Sequence, residues 1–232
     1  MKTIGIIGGM SWESSAQYYA IINRAVRDRL GPKRSASILL HSLDFGPIAQ
    51  LQAEDRWDQL GSIMADSACS LAAGGADCLL IATNTMHKLA EEVESACDLQ
   101  LIHIADATAE AIKAQCLRKI GLLGTAFTME QDFYRARLAD RHGLEVIVPK
   151  AEDRGEVHRV IYEELISGVL LESSREAYRG IIARLAADGA EGVILGCTEI
   201  ALLVSQADSP VPIFDTTELH ALAAADFALS DS

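Results

Sequence analysis

No stretch of the 232-residue chain reaches the roughly 18 to 20 consecutive apolar residues that a membrane-spanning helix needs. Nor does the opening Met1-Lys2-Thr3-Ile4-Gly5 show signal-peptide organisation; it runs straight into an apolar segment. Positive charge is scarce: Lys+Arg 20 stand against Asp+Glu 33, for a formal net charge of −13. The densest basic pairs are only Lys33-Arg34 and Arg118-Lys119. A phosphate backbone or an anionic membrane would be repelled by such a surface, so neither nucleic acid nor membrane is expected as a partner. The five cysteines, at 69, 78, 97, 116 and 197, have no CxxC spacing and no clustered metal pattern. A chain of this length does not need disulfide staples. Low-complexity tracts are also missing. These absences predict a reduced, cytoplasmic setting and no bound metal.

What is present is regular. Half of the residues are hydrophobic, enough for one large domain or two small ones. Short apolar runs at 3–7, 36–41, 78–82, 101–104, 120–123, 144–148, 192–195 and 211–214 read as strands buried on both faces. Helical periodicity occupies 13–29, 48–73, 85–96, 107–114, 128–140, 154–170, 174–187 and 217–228. Strand-helix alternation predicts an α/β fold with mostly parallel sheets flanked by helices.

The order of segments repeats. Ile4-Gly5-Ile6-Ile7-Gly8 resembles Ile120-Gly121-Leu122-Leu123-Gly124, 116 residues on. The run from Ala72 to Thr85, containing Cys78-Leu79-Leu80-Ile81-Ala82-Thr83, matches the run from Ala186 to Glu199, containing Gly192-Val193-Ile194-Leu195-Gly196-Cys197, 114 residues on. Two matches in one order at nearly one offset predict two pseudo-symmetric lobes. The first is expected to comprise residues 1–104 with 210–232 returning to it, and the second 105–209.

Parallel α/β sheets bind ligands beyond the carboxyl ends of their strands. The repeat puts Thr83 and Cys197 at matching strand ends, and a pseudo-twofold would set them on opposite sides of one cleft. Racemisation needs that geometry, since one group removes the Cα proton and another returns a proton to the opposite face. A thiol with a pKa near ~8.5, lowered beside helix-terminal donors, supplies thiolate at neutral pH. Cys197, just before Thr198-Glu199, is expected to have this setting. Thr83 is too weak an acid to be a free base, so it must deliver or relay a proton. His87, four residues on, reads equally as its helper or as a helix residue facing solvent. Gly8-Gly9-Met10-Ser11 opening a helix offers amides to a carboxylate; it lacks the G-x-G-x-x-G of a dinucleotide site, which leaves NAD the weaker reading. Thr125, Thr128, Asn84, Thr85 and Thr198 add donors, each also a plausible helix cap. No arginine clamp stands out, and Arg56 and Lys88 read as surface residues.

Gly-Gly-Met-Ser-Trp-Glu-Ser at 8–14, Thr-Asn-Thr-Met-His at 83–87, Gly-Thr-x-x-Thr-Met at 124–129 and Gly-Cys-Thr-Glu at 196–199 resemble the aspartate/glutamate racemase family. The likeness extends from the first strand to Phe214-Asp215-Thr216. It implies a two-lobed fold with the active site between the lobes, no cofactor (neither metal nor pyridoxal phosphate), and a homodimer. It further implies Cys197 and Thr83 as catalytic residues, with Met10, Ser11, Gln52, Asn84, Thr85, Thr125, Thr128 and Thr198 lining a site for L-aspartate or L-glutamate. Many members carry cysteine at both catalytic strand ends; Thr83 in place of the first resembles the bacterial branch specific for L-aspartate and L-glutamate. Some place a lysine before the second catalytic strand, whereas Tyr162-Glu163-Glu164-Leu165-Ile166 supplies none. Two other functions share such a fold: a one-cysteine decarboxylase of a malonate-like acid, and a non-catalytic dicarboxylate or amino-acid binding protein.

Overall fold

The computed structural model describes residues 1–230. Among them, eight strands form two four-stranded parallel sheets. The first contains β1 (Thr3–Gly8), β2 (Ser37–Ser42), β3 (Cys78–Ile81) and β4 (Gln100–Leu101), in the order β2-β1-β3-β4. The second contains β5 (Lys119–Gly124), β6 (Glu145–Ile147), β7 (Gly192–Gly196) and β8 (Ile213–Asp215), in the order β6-β5-β7-β8. Each of the eight apolar runs overlaps a strand, although 101–104 shares only Leu101 with β4 before Ile104 opens a helix, and the two sheets have one topology.

The repeat extends to register. Ile7 pairs with Ile81 in the first sheet, and their counterparts Leu123 and Leu195 pair in the second. Alternate strand residues feed opposite faces. In the first sheet Ile7, Leu79 and Ile81 enter one buried cluster, while Ile4, Ile6, Cys78 and Leu80 enter another. In the second, Leu123, Val193 and Leu195 pack under the helices on one side. Burial on both faces explains why these strands read as continuous apolar runs and not as alternating ones.

The helices are α1 (Trp12–Leu30), α2 (Phe45–Ala53), α3 (Trp57–Ala73), α4 (Ala90–Ala96), α5 (Ile104–Ala114), α6 (Ala126–Glu130), α7 (Asp132–His142), α8 (Ala151–Glu163), α9 (Glu172–Ala187), α10 (Ile200–Leu203) and α11 (Thr216–Leu229). Four segments expected as single helices are broken up. The 48–73 segment breaks at Asp55, whose φ of 55° is left-handed and which accepts from Trp57 Nε1 at 2.6 Å. A short acidic side chain tolerates that backbone, and periodicity does not register it. The 128–140 segment breaks at the extended Gln131, and the 85–96 segment opens as a 3-10 turn, Thr85–Leu89, before α4. The 154–170 pattern ends as α8 at Glu163, followed by a single 3-10 turn, Leu165–Ser167.

The chain divides into two compact units, Met1–Ile104 with the chain from His220, and Ala105–Leu219. This corrects the expected boundary at 209/210. β8 is hydrogen-bonded to β7, with Val193 opposite Ile213 and Ile194 opposite Phe214, and so belongs to the second unit. Only the later part of α11 joins the first, where Ala221, Ala224, Ala225 and Ala228 pack with Ile4 and Ile6 and the Ala228 carbonyl accepts from Lys2 N at 2.9 Å. A three-residue apolar run carries no mark of which sheet it will join, and only pairing decides.

Candidate active site

In each sheet the chain leaves its first strand toward one neighbour and returns on the other side, so the carboxyl ends of β1 and β3, and of β5 and β7, are the switch points where ligands bind. The sequence-predicted residues gather at these ends. After β1, Gly9 has φ 88°, and a Cβ there would run into the Leu43 backbone. This turn brings Met10 and Ser11 to the head of α1, where Ser11 Oγ accepts from Ser14 N at 3.3 Å and caps the helix. The next two serines are buried and tie the helix to the sheet: Ser14 Oγ donates to the Ala82 carbonyl at 3.0 Å, and Ser15 Oγ accepts from Gly9 N at 2.8 Å. The N-terminus of a 19-residue helix is thereby stitched to the residue preceding Thr83.

Thr83 is half-buried, while Asn84, Thr85, Met86 and His87 are buried. Gln52, on α2, is buried and donates from Nε2 to the Met86 sulfur at 3.1 Å, which brings it to the same strand end. His87 faces neither solvent nor the Thr83 hydroxyl as a free base. Its Nδ1 donates to the Thr83 carbonyl at 2.8 Å and its Nε2 accepts from Ile104 N at 3.2 Å. Lys88 extends over the Trp57 ring, 3.7 Å from its centroid.

The second unit builds the matching end. Thr125 caps α6, accepting from Thr128 N at 3.3 Å, and the two hydroxyls lie 3.2 Å apart. A Cβ at Gly196 would stand 2.8 Å from the Leu123 carbonyl and 3.2 Å from Thr128 Cγ2, so glycine lets β5, β7 and Thr128 close up. Cys197 follows, half-buried, as Thr83 is. Its Sγ donates to Glu199 Oε2 at 3.0 Å, and Thr198 Oγ1 donates to the same oxygen at 2.6 Å. Burial, and then the Glu199 charge and hydrogen bond, push the thiol well above its ordinary range, against the smaller lowering effect of the Glu199 and Thr198 amides. The expected low-pKa thiolate is therefore corrected: the resting group is a thiol whose proton points at a carboxylate. The following helix, α10, spans only Ile200–Leu203 and offers little dipole.

Three residues at this end were not singled out from sequence. Glu199 was read only as polar flank. His158 accepts from Ala126 N at 3.2 Å, and its ring lies 4.6 Å from that of Tyr162. Burial raises the Tyr162 hydroxyl above its ordinary range. His158 and Tyr162 lie four apart on α8, one helical turn; that spacing was the available signal. Among the described residues no three His, Cys, Asp or Glu side chains converge to hold a metal ion, and no helix is long and apolar enough to cross a membrane.

Comparison with known proteins gives a consistent answer. A putative Asp/Glu racemase from Yersinia pestis is 54% identical, covers 99% of this chain and 100% of its own, and superposes with a TM-score of 0.95. An aspartate racemase homologue from Pyrococcus horikoshii is 36% identical over 98% of this chain and 99% of its own, with a TM-score of 0.86. A broad specificity amino-acid racemase of Bacillus subtilis is 21% identical over 168 residues, 69% of this chain and 68% of that protein. The family model for Asp/Glu/Hydantoin racemase matches residues 7–224, from the first strand into the last helix. The chain belongs to the Asp/Glu/Hydantoin racemase family of isomerases.

Proposed function

We propose that the chain interconverts the enantiomers of an acidic amino acid, aspartate or glutamate, without a cofactor, with Cys197 acting on one face of Cα and Thr83 on the other. The observation that carries this reading is positional. Both residues stand two places beyond a register-matched strand pair, Ile7–Ile81 and Leu123–Leu195, at the ligand-binding ends of duplicated sheets. Met10, Ser11, Gln52, Asn84, Thr85, Thr125, Thr128 and Thr198 supply amides and polar groups for two carboxylates and an ammonium.

The Sγ–Glu199 contact supplies the missing base. As the substrate ammonium stabilises the thiolate form of the sulfur, Glu199 takes the thiol proton. The thiolate so formed removes the Cα proton, and the S–H bond is remade. The Thr83 hydroxyl gives its proton to the opposite face while drawing one from water, and Glu199 returns its proton to solvent. One proton enters and one leaves, so the cycle balances. With a thiol on one face only, abstraction is faster from one enantiomer than from its mirror image. The equilibrium in water remains near one to one. The same reading makes the protein a cytoplasmic homodimer.

The test is Cα deuterium uptake in D2O from L- and D-aspartate and L- and D-glutamate separately, with chiral separation and a parallel Cys197→Ala variant. Uptake that needs Cys197, with the opposite enantiomer appearing, supports the proposal. Carbon dioxide release from a malonate-like acid without exchange would point to the one-cysteine decarboxylase. Binding with no turnover would leave a sensor.

A further inference from the structure

Three buried histidines that the reaction scheme does not use lie together in the first unit. His87, His103 and His220 are 3%, 3% and 0% exposed. The His87 ring lies 4.5 Å from that of His103 and 5.5 Å from that of His220. His220 is itself fixed at both nitrogens: Nδ1 shares a hydrogen bond with Tyr18 Oη at 2.8 Å, and Nε2 donates to the Ile102 carbonyl at 2.6 Å. The partners determine protonation. A carbonyl only accepts and an amide only donates, so His87 is neutral with its proton on Nδ1, and His220 holds a proton on Nε2.

We propose that His87 is the positioning residue for Thr83, an imidazole strut that fixes the strand-end backbone by gripping the Thr83 carbonyl with one nitrogen and the Ile104 amide with the other. The inference rests on the reading of Thr83 as the proton donor. Thr83 follows β3 in a turn where its own amide bonds to the Ile81 carbonyl, at 2.8 Å. A bridge to Ile104 ties that turn to the start of α5. The three-residue stretch Ile102–Ile104 is held in turn by His220 at the first residue, by the His87–His103 ring contact at the second, and by His87 at the third. His220 is anchored through Tyr18 to α1, the helix whose first turn bonds Ala82. Placement of such a proton donor matters, because displacement of about 1 Å can cost about 10²-fold in rate.

The variants separate the two nitrogens. Asparagine places its amide nitrogen where Nδ1 stands; glutamine places its own nearer Nε2. The substrate is the enantiomer whose Cα proton faces Cys197, in D2O, and the readout is the ratio of inversion to exchange with retention. Retention needs only Cys197, whereas inversion needs Thr83. In His87→Gln the ratio falls about 10²-fold while exchange with retention and KM change by no more than about twofold. In His87→Asn most of the ratio returns. An unchanged ratio in His87→Gln, or a loss that Asn does not rescue and that follows the fall in melting temperature, would overturn the proposal. Thr83→Ala separates the two failures. If it lowers inversion while His87→Gln does not, only the positioning role is wrong; if it leaves inversion unchanged, the role of Thr83 falls and the inference with it.

Discussion

The two duplicated strand ends use one backbone plan for different chemistry. Thr83-Asn84-Thr85-Met86-His87 occupies in the first unit the place of Cys197-Thr198-Glu199-Ile200-Ala201 in the second. At the third position Thr85 corresponds to Glu199, whose carboxylate takes hydrogen bonds from both Sγ and Thr198 Oγ1. At the fifth, His87 corresponds to Ala201. The register Leu79–Leu101 and Val193–Ile213 likewise matches His103 with Asp215. Where the first unit packs imidazoles, the second has a 330 Å³ cavity lined in part by Ala201, Asp215 and Glu218. The thiol end carries a proton acceptor, and the hydroxyl end carries a mechanical brace. A duplicated scaffold can thus change the side chains just past a strand and divide acid–base power from positioning.

Substitutions can break this comparison, the largest effect first. Cys197→Ala should abolish both exchange with retention and inversion, a loss of about 10³-fold or more, within the range a positioned acid–base group contributes. Thr83→Ala should lower inversion about 10²-fold and spare exchange with retention; equal losses on both would erase the asymmetry. Glu199→Gln should act in opposite directions on two measurements. Removing the charge that helps raise the thiol moves the pH profile of iodoacetamide alkylation downward, so labelling at neutral pH speeds several-fold. Racemisation falls about tenfold, because the proton acceptor is gone. Slower labelling would contradict the Cys197–Glu199 pairing.

The smallest effect concerns stability and sharpens the comparison between the sheets. Cys78 in β3 corresponds to Gly192 in β7. Burial, then the Asp77 charge, raise the Cys78 thiol from 9.0 to about 12. Above pH 9.0 the unfolded chain loses this proton while the folded chain keeps it, so folding weakens as pH rises toward about 12. The slope is about 1.4 kcal/mol per pH unit for one group. Cys78→Ala should flatten this part of an alkaline denaturation profile followed by circular dichroism; a Gly192→Ala control should leave it in place.

The fold was largely legible because doubly covered parallel strands write themselves as apolar runs, and because duplication repeats the order. Register made the match exact to the residue at Ile7–Ile81 and Leu123–Leu195. What composition could not carry was partner choice. β8 pairs with β7 through three short register positions that no residue type announces. Helix breaks at Asp55 and Gln131 are backbone events under an uninterrupted periodic pattern. At the site, the strand-end residues were visible as polar groups after apolar runs, and Gln52 is brought to them through Met86. The state of Cys197 was not visible, because a neighbour two residues on can stabilise or oppose a thiolate according to side-chain direction alone. His87 was equally opaque, since its second partner, Ile104, is distant in sequence.

The bond from Cys197 Sγ to Glu199 bears on how long the protein lasts in an oxidising cell. Peroxide attacks thiolate and not thiol, and over-oxidation to sulfinic or sulfonic acid is irreversible at such a centre. A sulfur that keeps its proton beside a carboxylate stays off that path while the site is empty. In the proposed scheme its nucleophilic form arises only when a substrate ammonium stabilises the thiolate. Occupancy, and not ambient pH, then sets when the sulfur is vulnerable, and the resting protein should survive peroxide doses that damage a permanently ionised cysteine.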